Sequence, residues 1–259
     1  MAVADNGNFI VVSQSNETDP VLKALRYSAA GEQPGSAITL DTLGANFTFR
    51  VFSVDMDPDG DAVVAYQHTN DLYVIRISKD GVVSPRHLIE QGTTTDMVSA
   101  PSVSMDNSGG FFISWVNFLS TGHDDTVRVR AFDAAGNPRG AEFVVGPSSG
   151  LDHYNAVDIA AKDDGSGAVL AFNRIGEGSD SVDYARVGTT ALVGAILHIT
   201  LRRVDAPRVA VYGDGSFVMS YTRGSGGPLG DDPQDFNSFA QRFDAQANPV
   251  GSEIELGES

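Results

Sequence analysis

Gly109-Gly110-Phe111-Phe112-Ile113-Ser114-Trp115 is a turn glycine followed by a short apolar strand that ends in an aromatic residue. The chain contains the same phrase as Gly60-Asp61-Ala62-Val63-Val64-Ala65-Tyr66, Gly165-Ser166-Gly167-Ala168-Val169-Leu170-Ala171-Phe172 and Gly215-Ser216-Phe217-Val218-Met219-Ser220-Tyr221. A fifth version, Gly7-Asn8-Phe9-Ile10-Val11-Val12-Ser13, has a serine at the aromatic position. The glycines follow one another at 53, 49, 56 and 50 residues, so a repeat averaging 52 divides the 259 residues into five. Repeats of this length indicate a solenoid, a propeller or an array of units.

Three further strands surround each phrase. Before the glycine stand Val51–Val54, Pro101–Ser104, Val157–Ala160 and Pro207–Val211. After it come alternating runs such as Ile75-Arg76-Ile77-Ser78, Arg130-Ala131-Phe132-Asp133 and Gln241-Arg242-Phe243-Asp244. Their period of two marks half-buried strands. A Gly-rich turn and a closing strand complete the unit, as in Glu142–Val145 and Glu253–Leu256. Four up-and-down strands per repeat predict a β-propeller blade. The fold class is therefore all-β, a single five-bladed propeller over 1–259, with blades at about 1–48, 49–99, 100–155, 156–205 and 206–259. A sandwich would not repeat its turn chemistry five times, and no linker divides the chain into two domains. No strand is left over at either end, so closure is expected from side-by-side packing of blades one and five in a monomer. A ring that assembles with other copies is the alternative.

Composition agrees with this reading. There are 26 Asp against 8 Glu, and 28 Gly against 3 Lys, a balance that favours turns over helix interiors. Lys plus Arg number 17 against 34 acidic residues, a net charge of −17, which excludes a nucleic-acid binder and an anionic membrane surface. A hydrophobic share of 41% supports a packed core. No apolar run reaches the ~18 residues of a spanning helix. The absence of cysteine removes disulfides, thiolate metal sites and cysteine nucleophiles.

The unit Val129-Arg130-Ala131-Phe132-Asp133-Ala134-Ala135-Gly136-Asn137-Pro138-Arg139-Gly140-Ala141-Glu142-Phe143 resembles β-propeller-type repeats of very large bacterial secreted and surface proteins. Blade five carries the same pattern from Ala240 to Ile254. The departures are Ser13 at the aromatic position and Ala131 at the arginine position. The resemblance implies propeller blades in a calcium-rich extracellular or cell-surface setting, as part of a longer exported protein. It implies no catalytic residue. No charged-then-apolar leader opens the chain, so an export signal is expected elsewhere in that longer protein.

Alternate connections of an up-and-down sheet share one edge, so all the long loops are expected on one face of the disc, where function concentrates. That face is acidic, and its candidate ligand-binding residues are Asp71, His123, Asp124, Asp125, His153, Asp180, Asp231, Asp232 and Asp235. The candidate calcium motif is Asp55-Met56-Asp57-Pro58-Asp59-Gly60-Asp61, with Asp55, Asp57, Asp59 and Asp61 as ligands. Alternate carboxylates before a glycine match the first half of a calcium loop, but Tyr66 stands where the completing acid belongs. Asp55 and Asp158 are the inner-strand carboxylates that a glycosidase reading would use. Tyr66, Trp115, Phe172 and Tyr221 occupy equal positions in their blades, which points to inter-blade packing rather than sugar stacking. The expected function is non-enzymatic recognition of a glycan or protein on the long-loop face. The alternatives are a carbohydrate-active hydrolase and a structural spacer.

Overall fold

Twenty strands account for the regular structure of the described residues. The structure, a computed structural model, describes residues 1–15, 20–42, 51–93, 96–119, 125–147, 153–176, 180–201, 204–224 and 236–258. Blade one holds β1 (Ala2–Val3), β2 (Phe9–Gln14), β3 (Val21–Tyr27) and β4 (Ile38–Thr42). Blade two holds β5 (Phe52–Met56), β6 (Ala62–His68), β7 (Asp71–Ile77) and β8 (His87–Glu90). Blade three holds β9 (Asp96–Met105), β10 (Phe111–Leu119), β11 (Thr126–Phe132) and β12 (Phe143–Pro147). Blade four holds β13 (His153–Ala161), β14 (Ala168–Ile175), β15 (Asp180–Val187) and β16 (Leu192–Leu201). Blade five holds β17 (Val204–Val211), β18 (Phe217–Gly224), β19 (Phe236–Phe243) and β20 (Pro249–Glu258). Each blade is a four-stranded antiparallel sheet in sequence order, and the protein is a five-bladed β-propeller. No described helix is long and apolar enough to cross a membrane.

The turns explain the excess of Asp and Gly. In the first hairpin of blade two, Asp57 Oδ1 accepts from the backbone N–H of Gly60 and of Asp61, both at 2.9 Å. Asp106 does the same for Ser108 and Gly110 in blade three. The turn glycines Gly60 and Gly109 have φ of 96° and 82°, where a Cβ is disfavoured. After the third strand, the Asp of the Phe-Asp pair closes the turn: Asp133 accepts from Asn137 N and Asp244 from Asn248 N, each at 2.8 Å. In blade five the left-handed position of that turn is held by Ala247, at φ 71°.

Packing runs between blades rather than within them, because a single sheet cannot bury both faces. Ile10, Val12 and Leu22 of blade one meet Val64, Tyr66 and Ile75 of blade two. Val63, Leu72 and Val74 of blade two meet Phe111, Ile113 and Trp115 of blade three. Phe112, Val127 and Val129 continue to Ile159, Leu170 and Phe172. Val169, Val182 and Tyr184 continue to Phe217, Met219 and Tyr221. The four repeat aromatics are at most 2% exposed, as inter-blade packing requires. Burying such side chains contributes roughly 1.5–3 kcal/mol each. β6 and β14 are buried on both faces, whereas burial alternates in β2 and β18 of the terminal blades.

Arginines add polar latches. Arg26 of blade one donates to Gly60 O, Ile77 O and Ser78 O of blade two at 2.8, 3.2 and 2.8 Å. Arg186 of blade four reaches Ala245 O of blade five at 2.8 Å. Arg139 of blade three donates to Gly165 O of blade four at 2.9 Å and pairs with Asp106 at 2.8 Å.

Candidate functional site at the channel

The inner strand of a blade is an edge strand, and its outward N–H groups need partners that its own sheet cannot give. Here the neighbouring blade supplies them. Ser53, Ser102, Asp158 and Arg208 occupy one register position in blades two to five, each paired with the residue just before the repeat aromatic. Ser53 Oγ accepts from Val103 N at 3.2 Å, Ser102 Oγ from Ile159 N at 3.3 Å, and Asp158 Oδ2 from Val209 N at 2.8 Å. Ser102 also donates to Asp158 Oδ1 at 2.9 Å. A second layer repeats the device: Asp55 accepts from Met105 N at 2.8 Å and Ser104 Oγ at 3.1 Å, and Ser104 accepts from Ala161 N at 3.0 Å. Burial pushes the carboxyls of Asp55 and Asp158 above their ordinary range, and these hydrogen bonds only partly offset it.

Above these layers lies a cavity of about 400 Å³ lined by residues from all five blades: Met1, Val51–Val54, Ala100–Ser102, Asn155–Asp158 and Arg208. In blades two to four the lining comes from the entering halves of the inner strands, which follow the inter-blade connections. The leaving halves run into the tight turns. The cavity therefore faces the end of the ring that carries the long connections.

Three of its walls are irregular. Register shifts interrupt the inner strands opposite Trp115, between Tyr154 and Val157, and between Asp205 and Arg208. Ala100 and Ala206 have φ of 48° and 49°, each before a proline. A left-handed non-glycine residue costs of order 1–3 kcal/mol, and such strain and such bulges concentrate at functional sites. In blade four the bulge is held from behind. Asn173, fully buried, accepts from Asn155 N at 3.1 Å and Ala156 N at 2.7 Å.

On the same end, histidines pair with buried or half-buried carboxylates. His153 Nδ1 lies 3.1 Å from Asp125, which is fully buried, so Asp125 is a supporting group and not a solvent-facing carboxylate. His198 Nδ1 lies 2.8 Å from Asp183. His68, Tyr66 and Arg86 converge on Asp41 Oδ2 at 3.1, 2.8 and 3.1 Å. Burial alone would raise the Asp41 carboxyl, but these three donors hold it below its ordinary value.

The other sequence candidates are dispersed. Asp71 accepts from Gly92 N at 3.0 Å and from the Tyr73 hydroxyl at 3.1 Å, and Asp180 opens β15. His123, Asp124, Asp231, Asp232 and Asp235 lie outside the described residues. The carboxylates of the candidate calcium motif serve separate partners: Asp55 clamps blade three, Asp57 closes its own turn, and Asp61 accepts from Lys79 N at 2.6 Å. Among the described residues, no group of three or more His, Asp or Glu is placed to hold a metal ion. Arg208, Asn155, Asn173, Asp41 and His198 were not singled out from sequence. The twin Ala-Pro pairs at Ala100-Pro101 and Ala206-Pro207 were the available signal for the bulges.

No protein-family model matches the chain, and no curated protein matches it. A solved protein of unknown function from Dyadobacter fermentans is similar with a TM-score of 0.61 at 11% identity, over 99% of this chain and 81% of that one. Prolyl oligopeptidase B from Galerina marginata, in its apo form, gives 0.54 at 11% identity, over 99% of this chain and 33% of that one. This chain thus spans about a third of the peptidase's length. At such identities the likeness concerns the fold alone.

Proposed function

We propose that this propeller is a non-enzymatic recognition module that binds a saccharide at the end of the channel carrying the long connections, within an exported bacterial protein. The observation that carries the reading is the cavity to which all five blades contribute, with the strained residue Ala100 in its wall. Strain of this kind is tolerated where a site must be shaped in advance. The lining mixes small polar groups with the apolar faces of Val51, Phe52 and Val54, as suits a hydroxyl-rich ligand with apolar ring faces. Recognition is favoured over hydrolysis because Asp158 commits both its oxygens, and Asp55 its Oδ2, to hydrogen bonds from neighbouring blades. A paired acid and nucleophile would need those oxygens facing the ligand.

A glycan array probed with the labelled protein tests this, with and without millimolar calcium. Retention of defined saccharides without their cleavage supports the reading. Release of shortened products supports the hydrolase alternative, and an array with no retained saccharide rejects saccharide recognition.

A further inference from the structure

One residue breaks the rule that the inner layer otherwise follows. In blades two, three and four, Ser53, Ser102 and Asp158 each place an acceptor against the N–H of the residue that follows the equivalent position in the next blade: Val103, Ile159 and Val209. In blade five the same position is Arg208, paired in register with Ser220 as Ser102 is with Ser114. A guanidinium has donors only and cannot serve as that acceptor. Among the described residues no N–H of a following blade bonds to this position in blade five, so the layer leaves the Arg208 side chain to the cavity.

Arg208 is also little used by the protein itself. Its side chain lines the cavity and is exposed. Its one hydrogen bond among the described residues runs from Nη1 to Pro207 O at 3.1 Å, and it makes no ion pair there. The nearby carboxylate, Asp158, has one oxygen on Ser102 and the other on Val209 N. The guanidinium therefore keeps most of its fork of donors for something that enters the channel.

We propose that Arg208 makes the channel a subsite for a carboxylate-bearing saccharide, a uronate, whose carboxylate it holds through paired N–H···O bonds. The inference rests on the saccharide reading above and narrows it. A planar fork matches a carboxylate bidentately. The charge balance selects a carboxylate over a phosphate dianion: Asp158 stands beside Arg208, so two negative charges concentrated at that point are repelled, whereas an oligouronate carries one charge per sugar ring. Asn155 and Ser53 lie in the same lining, where their side chains suit sugar hydroxyls.

Isothermal titration calorimetry with trigalacturonate, galactotriose and inorganic phosphate tests the proposal on the whole chain. Trigalacturonate is expected to bind at least about tenfold more tightly than galactotriose, and to weaken as NaCl is raised. Arg208→Gln should abolish that tenfold preference. Arg208→Ser, the residue of blades two and three, should do the same with an unchanged melting temperature. Equal affinity for the acidic and neutral sugars overturns the uronate inference and leaves saccharide recognition standing. Tighter binding of phosphate than of trigalacturonate overturns the inference as well. Failure of both sugars to bind overturns the two readings together.

Discussion

Replacing Ser102 by alanine removes one oxygen and, on this account, loosens two blades. Ser102 is 5% exposed, accepts from Ile159 N and donates to Asp158. The deletion leaves a buried N–H without its acceptor, a cost of about 1–3 kcal/mol. It also takes one donor from a buried carboxylate, and hydrogen bonds to charged groups contribute roughly 1.5–3 kcal/mol. The two losses share one side chain and are not fully additive, so the expected destabilisation is about 2–4 kcal/mol. For a domain of this size that corresponds to a fall in Tm of about 5–12 °C. Urea denaturation followed by fluorescence, with unchanged m, reads the difference directly. A double-mutant cycle with Asp158→Asn should show coupling of at least about 0.5 kcal/mol. A Ser102→Ala protein within about 0.5 kcal/mol of wild type would refute the view that inner strands are held by side chains of adjacent blades, because ordinary surface changes stay in that range.

Other expectations follow the same physics. Arg26→Met should cost about 2–4 kcal/mol, since three carbonyls of blade two lose a charged donor; Arg242→Met, at an exposed position in blade five, should stay within about 0.5 kcal/mol, and both are read by urea titration. Ala247→Gly should change stability by less than about 1 kcal/mol, because relief of a φ of 71° is offset by the loss of a buried methyl; a larger fall in Tm would contradict this. Burial raises the Asp158 carboxyl above its ordinary 3.8. Its contribution to stability is therefore full below that value and is lost as pH rises through the folded one. Asp158→Asn does not titrate, so its Tm relative to wild type should climb between about pH 3.5 and pH 7. A flat difference would show that Asp158 is not desolvated.

The blades were legible because period-two runs and turn glycines are local signals. Gly60, Gly109 and the repeat aromatics behave as their spacing requires, and the Asp of each Phe-Asp pair closes its turn. What escaped the sequence is what depends on a neighbour. Asp55 and Asp158 look like an acid pair in sequence, yet each is a bracket to the next blade. Asp125 reads as a loop carboxylate but is fully buried against His153, a contact between residues 28 apart in sequence. The alternate acids around Asp57 read as half a calcium loop, whereas strand alternation and the hairpin send them to different partners. Aligning the inner strands by register, rather than by their turn glycines, exposes Arg208 as the odd member of its layer.

The most direct test of the account is amide chemical-shift mapping with a bound saccharide, using trigalacturonate on the ¹⁵N-labelled chain. Shifts should concentrate at Val51–Val54, Ala100, Ser102, Asn155–Asp158 and Arg208, which line the channel cavity. Shifts confined to the outer strands β4, β8, β12, β16 and β20 would place the ligand on the rim of the disc and contradict a channel site.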